Sequence, residues 1–151
     1  MSSPLDRSHW RADPFGHTTD GHGLTVLDEA TCFDLLGRES VGRLGFSAQA
    51  LPVILPVNFV LQDRTIVFSS ESGEKLRAAE DRAVACFEID WFDPIEHDGW
   101  SVLATGRLEP MPVERATLLI AHPVGNWALD GQRHFVELPI EIVSGRRLRR
   151  R

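Results

Sequence analysis

The stretch Leu51–Leu61 has a large apolar side chain at every second position and is followed by a turn and a second apolar run. Its odd-numbered positions are all large and apolar, while its even-numbered positions include two prolines and an asparagine. A period of two is typical of a β-strand with one buried face. The polar stretch Gln62–Arg64 and a second apolar run, Thr65–Ser70, follow directly, so we predict a β-hairpin. Because Pro52 and Pro56 cannot donate backbone hydrogen bonds, we expect the first strand to be an edge strand, or bulged, over part of its length.

Further short strands are predicted on both sides of this hairpin. Gly106 lies inside one of them and is expected to form a bulge or a bend. The predicted stretches are Val41–Phe46, Ala83–Trp91, Trp100–Glu109 and Phe135–Val143.

Three short helices are also predicted. Asp28 is the expected N-cap of the first, which buries a stripe of apolar side chains and ends at Gly37 in the left-handed conformation. The second begins at Ser72 or Gly73, and Pro112 suits the first position of the third. About six hairpin-linked strands without βαβ alternation favour a small closed or split β-barrel. The apolar stripe of the first helix consists of Cys32, Leu35 and Leu36.

The organisation of the chain follows from its length and its charge. At 151 residues with ordinary apolar content it suits one globular domain. We expect residues 1–23 to form a flexible N-terminal arm, residues 24–147 the folded domain and residues 148–151 a basic tail. Five of the sixteen basic groups lie in Arg146–Arg151, which leaves eleven basic against twenty-two acidic residues elsewhere. So acidic a body argues against nucleic-acid binding.

Membrane, metal and disulfide chemistry are all disfavoured. No apolar stretch approaches the ~18 residues that a membrane helix needs. The histidines of the N-terminal arm fit no common metal-ligand spacing, and we expect no metal site. Cys32 and Cys86 lie in apolar surroundings outside any CxxC motif, so we expect two buried thiols in a reducing, cytoplasmic compartment.

Lys75 is the only lysine of the chain, since the other fifteen basic side chains are all arginine. It follows Ser69, Ser70, Ser72 and Gly73, and hydroxyl groups next to one compact cation are suited to binding a phosphate ester. Surface loops are rich in the same residue types, so the sequence here leaves a phosphate site and a chance loop equally open.

The predicted hairpin adds a surface for a planar ring beside that segment. Pro56 and Asn58 share one face of the first strand, and the amide of Asn58 can both donate to and accept from polar ring edges. The sequence contains no recognisable catalytic triad, HExxH motif, Walker loop or dinucleotide fingerprint. Glu88 and Asp90 share a strand face, and we interpret them as a solvated or ion-paired surface and not as a glycosidase pair.

The order of several short motifs resembles the pyridoxamine 5′-phosphate oxidase-like proteins. The resemblance covers roughly Leu24 to Arg147, although the Arg-Leu-Ala-Pro ending of the true oxidases appears only as Arg147-Leu148. The motifs are Pro56-Val57-Asn58-Phe59, Ile66-Val67-Phe68-Ser69-Ser70, Gly73-Glu74-Lys75-Leu76, Phe87-Glu88-Ile89-Asp90, Gly99-Trp100-Ser101-Val102-Leu103, Gly106-Arg107 and the late Trp127 and Ser144-Gly145-Arg146-Arg147.

This resemblance implies a mainly β (α+β) fold, a six-stranded split β-barrel with short flanking helices. It also implies a homodimer with FMN at the subunit interface. By position, Val57 and Asn58 border the ring, while the phosphate is held by two hydroxyls and one cation, Ser69, Ser70 and Lys75.

The partner subunit is expected to contribute Trp100, Ser101 and Trp127. From the residues alone Trp100 suits core packing as well as stacking on a flavin. The implied function is a flavin-dependent oxidoreductase, with FAD or the deazaflavin F420 as alternative cofactors and flavin storage without turnover as an alternative role.

Overall fold

Eight strands and three helices make up the part of the chain that the structure, a computed structural model, describes. The described residues are 24–70, 73–116 and 134–148. The N-terminal arm, Trp127 and residues 149–151 of the predicted tail lie outside them. In chain order the elements are β1 (Thr25–Leu27), α1 (Glu29–Arg38), β2 (Val41–Ala48), β3 (Leu51–Gln62), β4 (Thr65–Ser70), α2 (Glu74–Glu80), β5 (Val84–Asp93), β6 (Asp98–Arg107), β7 (Glu109–Pro110), α3 (Val113–Ala116) and β8 (His134–Leu148).

The six long strands close into a barrel in which every described pairing is antiparallel. The order is β4-β3-β2-β5-β6-β8, and β8 returns to β4. β8 closes the ring because its first half pairs with β4 and its second half with β6. The two remaining strands, β1 and β7, have two or three residues and pair only with β8. The predicted six-stranded split barrel with short helices is therefore confirmed.

β3 divides its pairing between two neighbours. Leu51–Asn58 pairs with β2, whereas Phe59–Gln62 pairs with β4. The N–H of Phe59 donates to the carbonyl of Ser40. Backbone groups alternate in direction along a strand, so the N–H and C=O groups of the odd-numbered residues of β3 point to β2. Those of the even-numbered residues, including the two prolines, point to the opposite edge, where β4 does not pair with Leu51–Asn58. The prediction that this strand is partly an edge strand is confirmed.

The helix α1 covers one side of the barrel. The side chain of Asp28 accepts a hydrogen bond from Thr31 N at 2.7 Å, and the predicted apolar stripe is fully buried. The prediction that Gly37 ends the helix in the left-handed conformation is wrong. The helix continues to Arg38 and is followed by extended backbone at Glu39, so the turn needs no positive φ at glycine.

The two cysteines have different surroundings. Cys32 lies on the buried face of α1, and burial raises the pKa of its thiol to about 11. Cys86, however, is exposed, which corrects the prediction of two buried thiols. The register of β5 explains the difference, because Cys86 pairs with Gly45 and shares the outward face of the strand with Glu88. Both thiols are free.

Gly106 lies where the pairing of β6 with β8 shifts register, as predicted. A Cβ atom at this position would lie 2.1 Å from the carbonyl oxygen of Pro139. The absence of a side chain therefore lets two strands approach closely at the point where β8 changes partner. No helix among the described residues combines the length and apolarity needed to cross a bilayer.

Candidate functional site

The barrel is split at the place where β3 and β4 separate. Phe59 and Phe68 form the last pair of this ladder, and β4 continues alone with β8 through Ser69 and Ser70. The backbone groups of Asn58 face this opening, because the adjacent Phe59 donates its N–H in the opposite direction. Two of the predicted motifs, the end of the β3 run and the end of β4, thus meet at the split.

The two serines at the end of β4 point to opposite faces of the sheet. Ser70 is 2% exposed, and its hydroxyl belongs to the buried polar atoms without a hydrogen-bond partner among the described residues. Ser69 is half-buried on the outer face, the face that also carries Asn58. A single phosphate group approaching from one side would therefore reach only one of these side chains directly. A buried hydroxyl that lacks a partner is unusual enough to favour Ser70.

Lys75 lies in the first turn of α2, just beyond the split. Gly73 precedes the helix with a φ of 116°, which side-chain-bearing residues rarely adopt, and Arg77 N donates to its carbonyl. Lys75 itself is half-buried, while Ala78 and Ala79 pack into the core. The positive φ of Gly73 therefore sets the direction in which the chain enters α2.

Val57 differs from its neighbour Asn58. Val57 is buried in the barrel core, whereas Asn58 is half-buried on the outer face. In this arrangement the side chain and the backbone groups of Asn58 are the parts of β3 that a ligand in the split could contact, because the backbone groups of Val57 point to β2. The side chain of Val57 packs the wall behind them.

Trp100 and Ser101 lie far from the split within one chain. Ser101 pairs with Arg146 of β8, whereas Ser70 pairs with His134, twelve residues earlier on the same strand. Along the sheet, β6 is three strands away from β3. The described chain thus places Val57, Asn58, Ser69 and Ser70 beside the split, with Lys75 five residues beyond Ser70 in α2, and the β6 pair elsewhere.

The two β6 residues also differ in direction. The ring of Trp100 is part of the barrel core, yet its indole Nε1 is buried without a hydrogen-bond partner among the described residues. Ser101 is half-buried on the outer face, opposite Asp90 of β5. The packing role that the sequence left open for Trp100 is the one that its contacts support.

The outer face of β2 and β5 carries an ion-paired cluster. Arg43 contacts Glu88 and Asp90, each at 3.0 Å from its Nη1 atom. Burial raises the pKa of Glu88, as does the neighbouring Asp90, and the pairing with Arg43 only partly opposes this rise. The interpretation of the two carboxylates as an ion-paired surface is confirmed. Their arginine partner was missed, although its place in the Val41–Phe46 alternation puts it on the outward face.

The same outer face is unusually apolar for a surface that faces solvent. This face extends over β2, β3, β5, β6 and β8, and each of these strands has an exposed large hydrophobic side chain on it. Small residues such as Gly45 and Thr105 lie beside them. Antiparallel sheets normally carry polar residues on their solvated face. The exposed side chains are Val41 on β2, Ile54 on β3, Val84 on β5, Leu103 on β6 and Ile142 on β8.

One further group was not singled out from the sequence. Glu137 of β8 is only 5% exposed, and its Oε1 atom lies 2.5 Å from Nη1 of Arg115. Burial raises the pKa of Glu137, with Arg115 opposing and Glu109 reinforcing the rise. A carboxylate inside the apolar run Phe135–Ile140 was the available signal.

Comparison with known proteins places this architecture in a family. A family model described as pyridoxamine 5′-phosphate oxidase matches residues 28–147. The uncharacterized protein Rv0080 of Mycobacterium tuberculosis is 33% identical over 134 residues, which cover 83% of this chain and 86% of that protein.

Solved structures agree with this assignment. An FAD binding protein from Mycobacterium smegmatis is 30% identical, with a TM-score of 0.68 and coverage of 84% of this chain and 100% of that one. An FAD-binding protein from Mesorhizobium loti has the same fold at 23% identity, with a TM-score of 0.68 and coverage of 82% and 97%. Because the family model spans most of the barrel and a relative shares a third of its residues, the chain belongs to the pyridoxamine 5′-phosphate oxidase family.

Proposed function

We propose that this protein binds a flavin nucleotide in the split between β3 and β4, with the phosphate held by Ser70 and Lys75. The observation that carries the proposal is the buried hydroxyl of Ser70, which has no partner among the described residues. A phosphate oxygen would accept a hydrogen bond from this hydroxyl, and the ammonium of Lys75 would neutralise the charge of the phosphate. The FAD-binding protein that shares 30% of the residues supports a flavin as the ligand.

The remaining residues of the split would orient the ring. The amide and the outward-facing backbone groups of Asn58 can bind polar atoms at the ring edge, and the buried Val57 keeps this wall rigid and dry. Ser69 lies on the outer face with Asn58 and would contact the ring or the ribityl chain. When bound, the flavin would supply the capacity to accept and release a hydride, while the protein supplies binding and orientation.

We further propose a homodimer in which the second copy completes the site. Trp100 and Ser101 are too far from the split of their own chain to reach a ligand there. The apolar outer face, which includes Leu103 two residues beyond Ser101, suits contact with another copy. A twofold arrangement would use this face on both subunits, so each split would meet Ser101 of its partner, while Trp100 stays in the core of its own barrel behind that residue. Trp127 would join Ser101 there.

Replacing Leu103 by arginine should convert the dimer into monomers. Leu103 is 43% exposed and lies opposite Glu88, so the isolated barrel tolerates the new cation, whereas a dimer would have to bury its charge in an apolar contact. Sedimentation or light scattering at micromolar concentration measures the change in mass. Ile95→Arg is the matched control, because Ile95 is 81% exposed in the β5–β6 turn, away from that face. A Leu103→Arg protein that keeps the mass of a dimer would contradict the proposed interface.

The proposed role is that of an oxidoreductase that passes hydride between a nicotinamide or small electrophile and the flavin. Storage without turnover is the second candidate, since the sequence contains no recognisable catalytic triad or other catalytic motif. The deazaflavin F420 suits the site less well, because Arg43, which lies opposite Pro56 of β3, is already shared by two carboxylates. The two free cysteines fit a reducing compartment such as the cytoplasm.

The visible spectrum of the purified protein, with mass spectrometry of the ligand released on heating, tests the cofactor. We expect flavin absorption and the mass of FMN or FAD. A colourless protein that takes up none of FMN, FAD or F420 would overturn flavin binding. Bleaching of the bound flavin by NADH or NADPH supports an oxidoreductase, and its absence with every donor supports storage.

A further inference from the structure

A short segment between β6 and α3, called the strap here, is hydrogen-bonded at one end just after α2 and at the other end to the start of β8. It consists of Leu108–Met111 and contains β7. At its first end the N–H of Leu108 donates to the carbonyl of Ala83, just after α2. At its other end the N–H of Met111 donates to the carbonyl of Phe135. The strap therefore links the helix that carries Lys75 to the strand that pairs with Ser70.

A carboxylate in the middle of the strap faces a second carboxylate on β8. Glu109 of β7 is the direct cross-strand partner of Glu137 on β8. Like charges directly opposite each other weaken a strand pair. Each carboxylate has one arginine, since Arg82 lies 2.6 Å from Glu109 and Arg115 lies 2.5 Å from Glu137.

The two ion pairs are not equivalent. Arg82 and Glu109 reach solvent, which screens their interaction, but Glu137 is almost completely enclosed. Its neighbours on this face, which is opposite the barrel core, are apolar, because Val67 of β4 pairs with it and the side chains of Val67, Met111 and Phe135 form one cluster. Its Oε1 lacks a hydrogen bond among the described residues, although Arg115 lies in charge contact with it. An ionised Glu137 is thus compensated by this one cation and opposed by Glu109 and by burial.

We propose that Glu137 and Glu109 form a proton-dependent clasp that closes the strap when Glu137 is protonated and loosens it when both carboxylates are ionised. The groups that face Glu137 in the described chain are Glu109 from β7 and Arg115 from α3, with Arg82 acting through Glu109. Protonation removes both the repulsion across β7 and β8 and the cost of a buried charge.

The direction of the pH dependence follows from the same geometry. Burial raises the pKa of Glu137 above that of a carboxyl in the unfolded chain. The closed strap is therefore fully stabilised below the unfolded pKa and loses this stabilisation as the pH rises through the folded one. A looser strap at higher pH would release α2, and this consequence for the flavin phosphate rests on the proposed function, whereas the clasp itself does not.

Hydrogen exchange of the Met111 amide measures the clasp without any ligand, because this N–H is bonded across the strap. After correction for intrinsic rates, we expect exchange in the native protein to be several-fold faster at pH 8 than at about pH 4, below the unfolded pKa of a glutamate side chain. Glu137→Gln keeps the shape without the charge, so its Met111 amide should stay protected at both pH values. Glu141→Gln, on the same strand but exposed, is the matched control and should behave like the native protein.

Arg115→Gln supplies an independent second variant. Without its cation, ionised Glu137 is compensated even less and its folded pKa rises further, so the total loss of Met111 protection between low and high pH should be larger than in the native protein. The proposal is overturned if Met111 protection does not change with pH in the native protein, or if Glu137→Gln retains the native pH dependence. A protein that takes up no flavin but shows the expected exchange pattern would support the clasp and refute only the flavin site.

Discussion

Replacing Gly106 by alanine should destabilise the folded barrel by about 3 kcal/mol or more. The added Cβ would lie 2.1 Å from the carbonyl oxygen of Pro139 and 3.3 Å from a methyl carbon of Leu138. The first of these contacts is with backbone, which cannot rotate away as a flexible side chain can. The clash falls at the register shift between β6 and β8, where the barrel closes. Chemical denaturation of the purified variant measures the loss in the free energy of unfolding.

Gly37→Ala is the matched control for this substitution. Gly37 lies inside α1, and the nearest atom to an added Cβ is 3.9 Å away, which is ordinary contact. Since alanine is the better helix former, this variant should be stabilised by roughly 0.5–1 kcal/mol. If Gly106→Ala were as stable as the native protein, the close approach of β6 and β8 would be wrong, and with it the closure of the barrel.

Lys75→Ala should weaken FMN binding by roughly 10- to 150-fold and leave riboflavin binding almost unchanged. This range corresponds to the loss of about 1.5–3 kcal/mol from one charge-assisted hydrogen bond. Riboflavin has the same ring and ribityl chain but no phosphate, so it does not depend on the lysine. Fluorescence titration with both ligands gives the two affinities.

Three variants control this experiment. Arg77→Ala removes an exposed cation from the same helix, so it shows how much of the effect comes from net charge alone. Ser70→Ala should also weaken FMN selectively, whereas Ser69→Ala should affect FMN and riboflavin alike, because Ser69 lies on the face with Asn58. Equal losses for the two ligands in Lys75→Ala would show that the ammonium does not bind the phosphate.

The sequence predicted the hairpins well because each has a strong local pattern. In Leu51–Leu61 the period of two, the prolines and the following turn all indicate the same strand, and its partners agree. β8 was underestimated, with an expected end at Val143, although it continues to Leu148. The stretch Ser144–Arg147 has turn-forming and charged residues, and it is held extended only by β1 on one side and β6 on the other. Such long-range pairing leaves no local signal.

The candidate site shows the same division between local and long-range information. The residue types at Ser69, Ser70 and Lys75 could be identified from the chain alone, but not which hydroxyl is buried. That depends on which face of β4 meets the core, and the structure places Ser70 there. Cys86 was predicted as buried because its neighbours in sequence are apolar, whereas its register opposite Gly45 exposes it. The distance of Trp100 from the split likewise depends on the order of strands.

The most direct test of the central claim is a crystal structure of the protein with FMN bound. We predict the phosphate at the end of β4, with an oxygen at about 2.5–3.0 Å from Ser70 Oγ and within reach of Lys75 Nζ. The ring should lie against Asn58, between two copies of the chain. An FMN phosphate bound elsewhere, with Ser70 Oγ still lacking a partner, would contradict the account.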